Sequence, residues 1–325
     1  MESALFNDLL DYLRTQLNIT KLEYKEKPVK ITKGLGTDKY VFTLNNAPEH
    51  LSKPLVVRIF SKTTRKGYSE GEAQVQNAVH DLGYPTPRVF FACSDKSVLG
   101  REFTVMEYKK GLNLSVTGRH DVPEIVGRLH AELHSIDPST LMKTITPEDG
   151  GTVRYSITEY LDEFIRKNKY TRLFPALKWV LDNRPPSEPS VICHGDFHAE
   201  NILWDNDSVS AVLDWGAFRF EEPAWDVAYI IVKLRAFYPQ RLHGVSLNVY
   251  IDRYFRSYTE RRKIGRDRFS YFEAVGALNA LNEIETHIND IPDTSLKQRL
   301  SKVEDYMINV FEEVSGVKIP NSTSV

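Results

Sequence analysis

The sequence has 325 residues, of which 41 % are apolar and 26 % charged, and its 42 basic and 44 acidic residues leave a net charge of −2. That is the profile of one large or two ordinary soluble globular domains with a sizeable core, and it gives no support to non-specific nucleic-acid binding. Two cysteines, Cys93 and Cys193, are too few for a disulfide framework and are expected reduced and buried.

No apolar run reaches the length of a membrane span, and Met1-Glu2-Ser3 lacks the basic-then-apolar layout of a signal peptide. A cytoplasmic protein with no membrane or nucleic-acid partner is the expectation. The oligomeric state is left open.

Leu5, Phe6, Leu9, Leu10, Leu13 and Leu17 recur at helical spacing behind Ser3, a candidate N-cap. Strands are expected at 29–32, 40–44 and 55–60. A helix over 66–82 should end at Gly83, and two further strands at 89–92 and 103–107. Beyond Gly111 the pattern turns helical. Pro123 suits the first turn of a helix to about His134, and helices follow at 155–167 and 173–182. Arg184 to Pro189 reads as a linker. Strands at 202–204 and 209–213 flank Asp205-Asn206-Asp207-Ser208 as a hairpin. From Trp225 to about Val314 the chain reads as helical. The fold expected is α+β: a β-rich lobe over 1–108 and a helical lobe over 109–325.

The chemistry concentrates in His194-Gly195-Asp196-Phe197-His198-Ala199-Glu200-Asn201 and Leu213-Asp214-Trp215-Gly216. Phosphoryl transfer to a hydroxyl needs a carboxylate that orients the hydroxyl and takes its proton. It also needs a second carboxylate on Mg²⁺ and a neutral oxygen ligand to complete the metal site. Asp196, Asp214 and Asn201 offer that set, and the hairpin should return Asp214 beside Asn201.

His-Gly-Asp-x4-Asn followed by Asp-Trp-Gly resembles the aminoglycoside phosphotransferase and choline kinase family, whose fold is protein-kinase-like. The resemblance implies Asp196 as catalytic base, Asn201 and Asp214 as Mg²⁺ ligands, and ATP, with GTP as alternative, as phosphate donor. It covers most of the chain. Gly34, Gly36 and Thr37 stand where a glycine-rich loop covers the phosphates. Arg58 occupies the place of the phosphate-binding lysine, with Glu72 as its helix partner and Glu70 as the competing candidate. Glu107 and Tyr108 stand at the hinge whose backbone pairs with the purine, between Leu203 as apolar floor and Val41 and Val56 as roof. Asp226 resembles the aspartate that braces the catalytic loop, with His194 a scaffold residue.

The acceptor implied is a small hydroxylated molecule. Glu159, Asp162, Glu163, Glu283 and Glu285 would suit a cationic one, an aminoglycoside or an amino-alcohol, although solvated helix faces explain them as well. A protein or stress-response kinase and a catalytically silent kinase-like binding module are the rivals. His130 and His134 share a helix face, but with no third ligand evident they read as packing and capping residues.

Overall fold

The computed structural model describes residues 2–33, 37–145, 156–238, 241–287 and 294–320. It is a mixed α+β structure of two compact units. One comprises Met1–Thr117, Ser139–Val153 and Glu200–Gly216, and the other Gly118–Pro138, Arg154–Ala199 and Ala217–Val325. The units therefore do not follow a single cut at residue 108. The physical reason is strand pairing: Leu112–Asn113 and Ser208–Val212 both pair with Ile202–Asp205, which ties the hairpin to the β-rich unit.

In the first unit, five strands form an antiparallel sheet in the order Val29–Lys33, Asp38–Phe42, Leu55–Ile59, Phe103–Glu107, Val89–Cys93. Side chains alternate across the sheet. Leu55, Val57 and Ile59 join Phe103 and Val105 in a core capped by Phe6, Leu9, Leu10 and Leu13 of the helix Glu2–Leu17. That helix starts one residue ahead of Ser3, which lies inside it. Val56 points the other way and packs with Val89, Met106 and Ala73 of the helix Tyr68–Asp81. Gly83, at φ +85°, closes this helix: its N–H donates to His80 O and that of Tyr84 to Val79 O. This is the paired-bond helix stop that a residue with left-handed backbone permits. The 202–212 hairpin turns on Asn206 and Asp207, both with positive φ, the I′ geometry that matches strand twist.

The second unit is helical. Pro223–Phe237 runs through its centre, and Ala224, Trp225, Ala228, Tyr229 and Val232 pack with Phe272, Leu278 and Phe311 of Arg266–His287 and Thr294–Ser315. Val122–Leu133 packs on Leu247–Thr259. The contact is close: a Cβ added at Gly127 would lie 2.3 Å from Tyr254 O. Val191–Cys193 pairs antiparallel with Arg219–Glu221. The helical reading beyond Trp225 is interrupted by a small hairpin, Arg241–Leu242 with Val245–Ser246, that turns on His243 and Gly244 at positive φ. In the first unit, a short helix, Ser139–Thr144, lies where none was expected. Both cysteines are free and buried. No helix among the described residues is long and apolar enough to cross a membrane.

Candidate active site

Period-two alternation places Arg58 on the same face of its strand as Val56, inside the first unit and away from the helix Glu2–Leu17. The guanidinium is almost fully buried. Its Nη1 donates to Glu72 Oε1 at 2.6 Å and its Nη2 to Asp214 Oδ1 at 3.1 Å. Burial works against the charge, but the two carboxylates outweigh it and hold the arginine protonated above its ordinary range. Of the two glutamates considered, Glu72 meets Arg58, while Glu70 accepts from Ser94 Oγ at 2.8 Å. The Arg58 group also lies 4.7 Å from the Phe60 ring centroid.

Asp214 arrives through the hairpin. Ile202 pairs with Val212, and Leu213 N–H donates to Asn201 O at 2.8 Å, so Asn201 and Asp214 leave the same end of the ladder. Asp214 adopts φ +69°, a left-handed backbone that costs a non-glycine residue about 1 kcal/mol or more. The strain is held in place from both sides of the loop. Trp215 Nε1 donates to Thr86 Oγ1, and a Cβ at Gly216 would overlap the Tyr68 hydroxyl.

These residues wall a cavity of about 360 Å³. Arg58, Asn201 and Asp214 are among its polar lining residues, and Val56, Met106 and Leu203 among its apolar ones. Val41 packs behind, against the Val56 cluster. Lys39, absent from the sequence-derived set, also lines the cavity. Its strand register sets it opposite Arg58, and burial and then the Arg58 charge lower its pKa. The signal was available in the alternation Lys39-Val41 against Val56-Arg58, once those two strands are paired in register.

Glu107 and Tyr108 line the same cavity, with their N–H groups engaged in the sheet. Glu107 N–H donates to Arg88 O at 2.9 Å and Tyr108 N–H to Pro54 O at 3.1 Å. The reason is that Phe103–Glu107 is an internal strand whose ladder continues past its end on both sides. Gly34 and Gly36 lie outside the described residues. Thr37, half-buried, directly precedes the strand Asp38–Phe42.

The second unit holds the other part of the sequence motif. Asp226, in the first turn of Pro223–Phe237, is fully buried, and its Oδ2 accepts from His194 N at 2.7 Å and its Oδ1 from Gly195 N at 2.9 Å. Gly195 needs to be glycine: φ is +78°, and a Cβ there would lie 2.3 Å from Ala217 O. His130 and His134 each donate from Nε2 to Asp226 Oδ2, at 3.0 and 3.3 Å, and their Nδ1 atoms pair with the hydroxyls of Tyr254 and Tyr258.

The two histidines therefore do have an acidic third partner, nearly a hundred positions along the chain. The three groups form a set of the kind that can ligate a metal. The hydrogen bonds already made by each ring and by both Asp226 oxygens account for the cluster as a brace. Burial would raise the Asp226 carboxyl, but His130 and His134 outweigh it and hold it well below its ordinary range, whereas burial brings His134 down to about 4.

On the loop so braced, His194 Nδ1 accepts from Asp196 N at 3.2 Å. Asp196 Oδ2 is met by His198 Nε2 at 3.3 Å, and Oδ1 by the Lys233 ammonium. Burial would raise this carboxyl, but His198 and Lys233 more than reverse that and hold it well below the usual range. Asp196 is thus an ionised, partly exposed carboxylate on a rigid loop. Lys233 was not among the residues singled out from sequence, and His198 appeared there only as a member of the motif.

A family model described as phosphotransferase enzyme family matches residues 29–265, which span both units. The chain belongs to the phosphotransferase enzyme family. Among solved structures, the chain resembles a Plasmodium vivax ethanolamine kinase at 12 % identity and a TM-score of 0.65, covering 94 % of this chain and 88 % of that one. It also resembles a thermostable mutant of aminoglycoside phosphotransferase APH(4)-Ia, in ternary complex with ADP and hygromycin B, at 13 % identity and a TM-score of 0.63, covering 94 % and 98 %. These likenesses establish the kinase-like fold of the family.

Among curated relatives, acyl-CoA dehydrogenase family member 10 of Mus musculus is 24 % identical over 212 residues, which are 58 % of this chain and 20 % of the relative. The chain spans about a fifth to a quarter of the length of the acyl-CoA dehydrogenase family members it matches.

Proposed function

We propose that this phosphotransferase moves the γ-phosphate of ATP, with GTP as the alternative donor, to a hydroxyl of a small molecule. The observation that carries the reading is the Arg58 guanidinium held between Glu72 and Asp214 on the wall of a cavity that also offers an apolar surface. An arginine so clamped is a fixed positive charge where phosphate oxygens would lie, and Lys39 beside it adds a second. Val56, Met106 and Leu203 offer the apolar surface a purine ring needs. The β-rich unit is on this reading the nucleotide-binding part of the chain, and the helical unit the acceptor-binding part.

Asp214 and Asn201 supply oxygen ligands of the kind a hard cation takes, next to the charge-compensating Arg58, so the donor set fits Mg²⁺. Bound there, Mg²⁺ would neutralise charge on the phosphate oxygens. The chain's own part in the step is as follows. Asp196 accepts the hydrogen bond of the acceptor hydroxyl and takes its proton. The acceptor oxygen forms a bond to the γ-phosphorus while the bond from that phosphorus to the β–γ bridging oxygen breaks. The diphosphate leaves with the electron pair, and Asp196 returns the proton to solvent. Positioning and electrostatics, not a covalent intermediate, carry the catalysis.

The test is Asp214→Ala. Turnover should be abolished, and the part of the nucleotide affinity that depends on Mg²⁺ should disappear in isothermal titration. Unchanged Mg²⁺-dependent binding of ATP would remove Asp214 from the metal site.

A further inference from the structure

The residues that suggested a cationic acceptor are engaged elsewhere or face solvent. Asp162 pairs with Arg166 at 2.5 Å, Glu285 with Arg172, and Glu283 accepts from Tyr229 Oη and Asn279 Nδ2. Glu159 and Glu163 are exposed on the helix Ile157–Asn168. What stands against Asp196 instead is a cation. Lys233 reaches it from the same helix that carries Asp226, and its ammonium lies over the Tyr229 ring at 5.4 Å from the centroid. The lysine side chain is about a quarter exposed.

An ammonium has three N–H donors, and the ion pair with Asp196 uses one. The loop thus sets an acceptor for a hydroxyl proton beside a donor for anionic oxygens. A molecule that brings its hydroxyl to Asp196 meets the Lys233 charge with whatever group it carries next along its skeleton. A positively charged group there would face like charge, whereas an anionic one gains a charge-assisted hydrogen bond.

We propose that Asp196 and Lys233 form a recognition pair for acceptors that carry an anionic oxygen group, carboxylate or phosphate, a few bonds from the hydroxyl to be phosphorylated. The proposal rests on the kinase reading above and sharpens it from any small alcohol to an acidic one. Lys233 is the specificity-determining residue and Asp196 the base, and the transfer step balances as already written.

The experiment is an ADP-release assay on the full chain with Mg·ATP. Its acceptors are a chain-length series of ω-hydroxy acids, glycerol 3-phosphate, the ω-hydroxy amides matched to the acids, and amino-alcohols. Turnover of the acids or of glycerol 3-phosphate above the amides is expected, and the two anion arms tell carboxylate from phosphate. Lys233→Gln should lower the ratio of kcat/KM for the anion to that for its amide by about 10- to 100-fold, the worth of one hydrogen bond to a charged group. Taking the ratio cancels any effect the substitution has on Asp196 itself. Lys233→Arg should keep most of it.

A preference for amino-alcohols, or a ratio that Lys233→Gln leaves unchanged, overturns the proposal. Calorimetric titration of the same anions without nucleotide separates the two readings. If no acceptor yields ADP and yet anion binding is lost in Lys233→Gln, the anion pair stands and the kinase reading falls. If Lys233→Gln leaves anion binding intact, the pair falls whatever the turnover.

Discussion

Asp226 and Asp196 are carboxylates that meet at the same loop of the helical unit, one bonding to it and one carried by it, and they differ in burial and in partners. Asp226 is sealed from solvent and receives two backbone N–H groups and two imidazoles. Asp196 keeps about three-tenths of its side chain exposed and has a lysine and a histidine for neighbours. Both are held ionised against burial by their neighbours, Asp226 by His130 and His134 and Asp196 by His198 and Lys233, but only Asp196 stays reachable. A buried, fully partnered acid is a joint. A partly exposed acid beside a cation is a reagent.

Substitution at each should therefore fail in a different way. The largest effect is expected at Asp226. Asp226→Ala strands two backbone donors and two imidazoles in a dry interior, and breaking a buried charged cluster costs about 3–5 kcal/mol. The midpoint in differential scanning calorimetry should fall by about 10 °C, with activity lost alongside. A variant that melts like the wild type would mean that the brace is dispensable.

Asp196→Asn should instead leave the melting temperature within a few degrees and Mg·ATP affinity nearly unchanged. Its kcat should fall about 10²- to 10⁴-fold, the usual share of a general base. If stability and nucleotide affinity collapse together with kcat, Asp196 belongs with Asp226 as a structural residue.

The smallest effect is on pH. His134 has its pKa brought down to about 4 from 6.5, chiefly by burial. Between those values the unfolded chain binds a proton that the folded chain does not. Its contribution to stability is thus complete above pH 6.5 and is lost as pH falls toward 4. The melting temperature should drop through that window in the wild type and drop less steeply in His134→Gln.

The parts of this molecule that a sequence discloses are those written into short spacings. His194 to Asn201 and Leu213 to Gly216 are local, and the turn at Asn206-Asp207 announces the hairpin that joins them. Arg58 and Glu72 lie fourteen positions apart on a strand and the helix that follows, close enough for alternation to orient one and helical period the other. The Lys233 partnership with Asp196 is different, because it depends on how a central helix packs against a loop 37 positions away, and a lysine in a helix ordinarily reads as solvated. His130 and His134 looked unpartnered for the same reason: Asp226 approaches them only through the tertiary fold. The hinge shows a third kind of blindness. Glu107 and Tyr108 occupy the expected place, yet whether their N–H groups are available depends on which strands flank theirs, and that is a property of sheet order. The short helix Ser139–Thr144 and the hairpin at 241–246 escaped because each is too brief to show a period.

The helix Pro223–Phe237 carries Asp226 in its first turn and Lys233 seven residues later. Seven residues turn an α-helix through roughly 700°, within about 20° of two full revolutions, and advance it by about 10 Å. The segment between them is therefore a ruler of fixed length. A single residue inserted or deleted there would swing the lysine by about 100° around the axis while leaving the brace in place. Within this helix the chain can drift in side chain but not in count, so descendants of this sequence should vary in length in their loops and keep the interval from 226 to 233 unaltered.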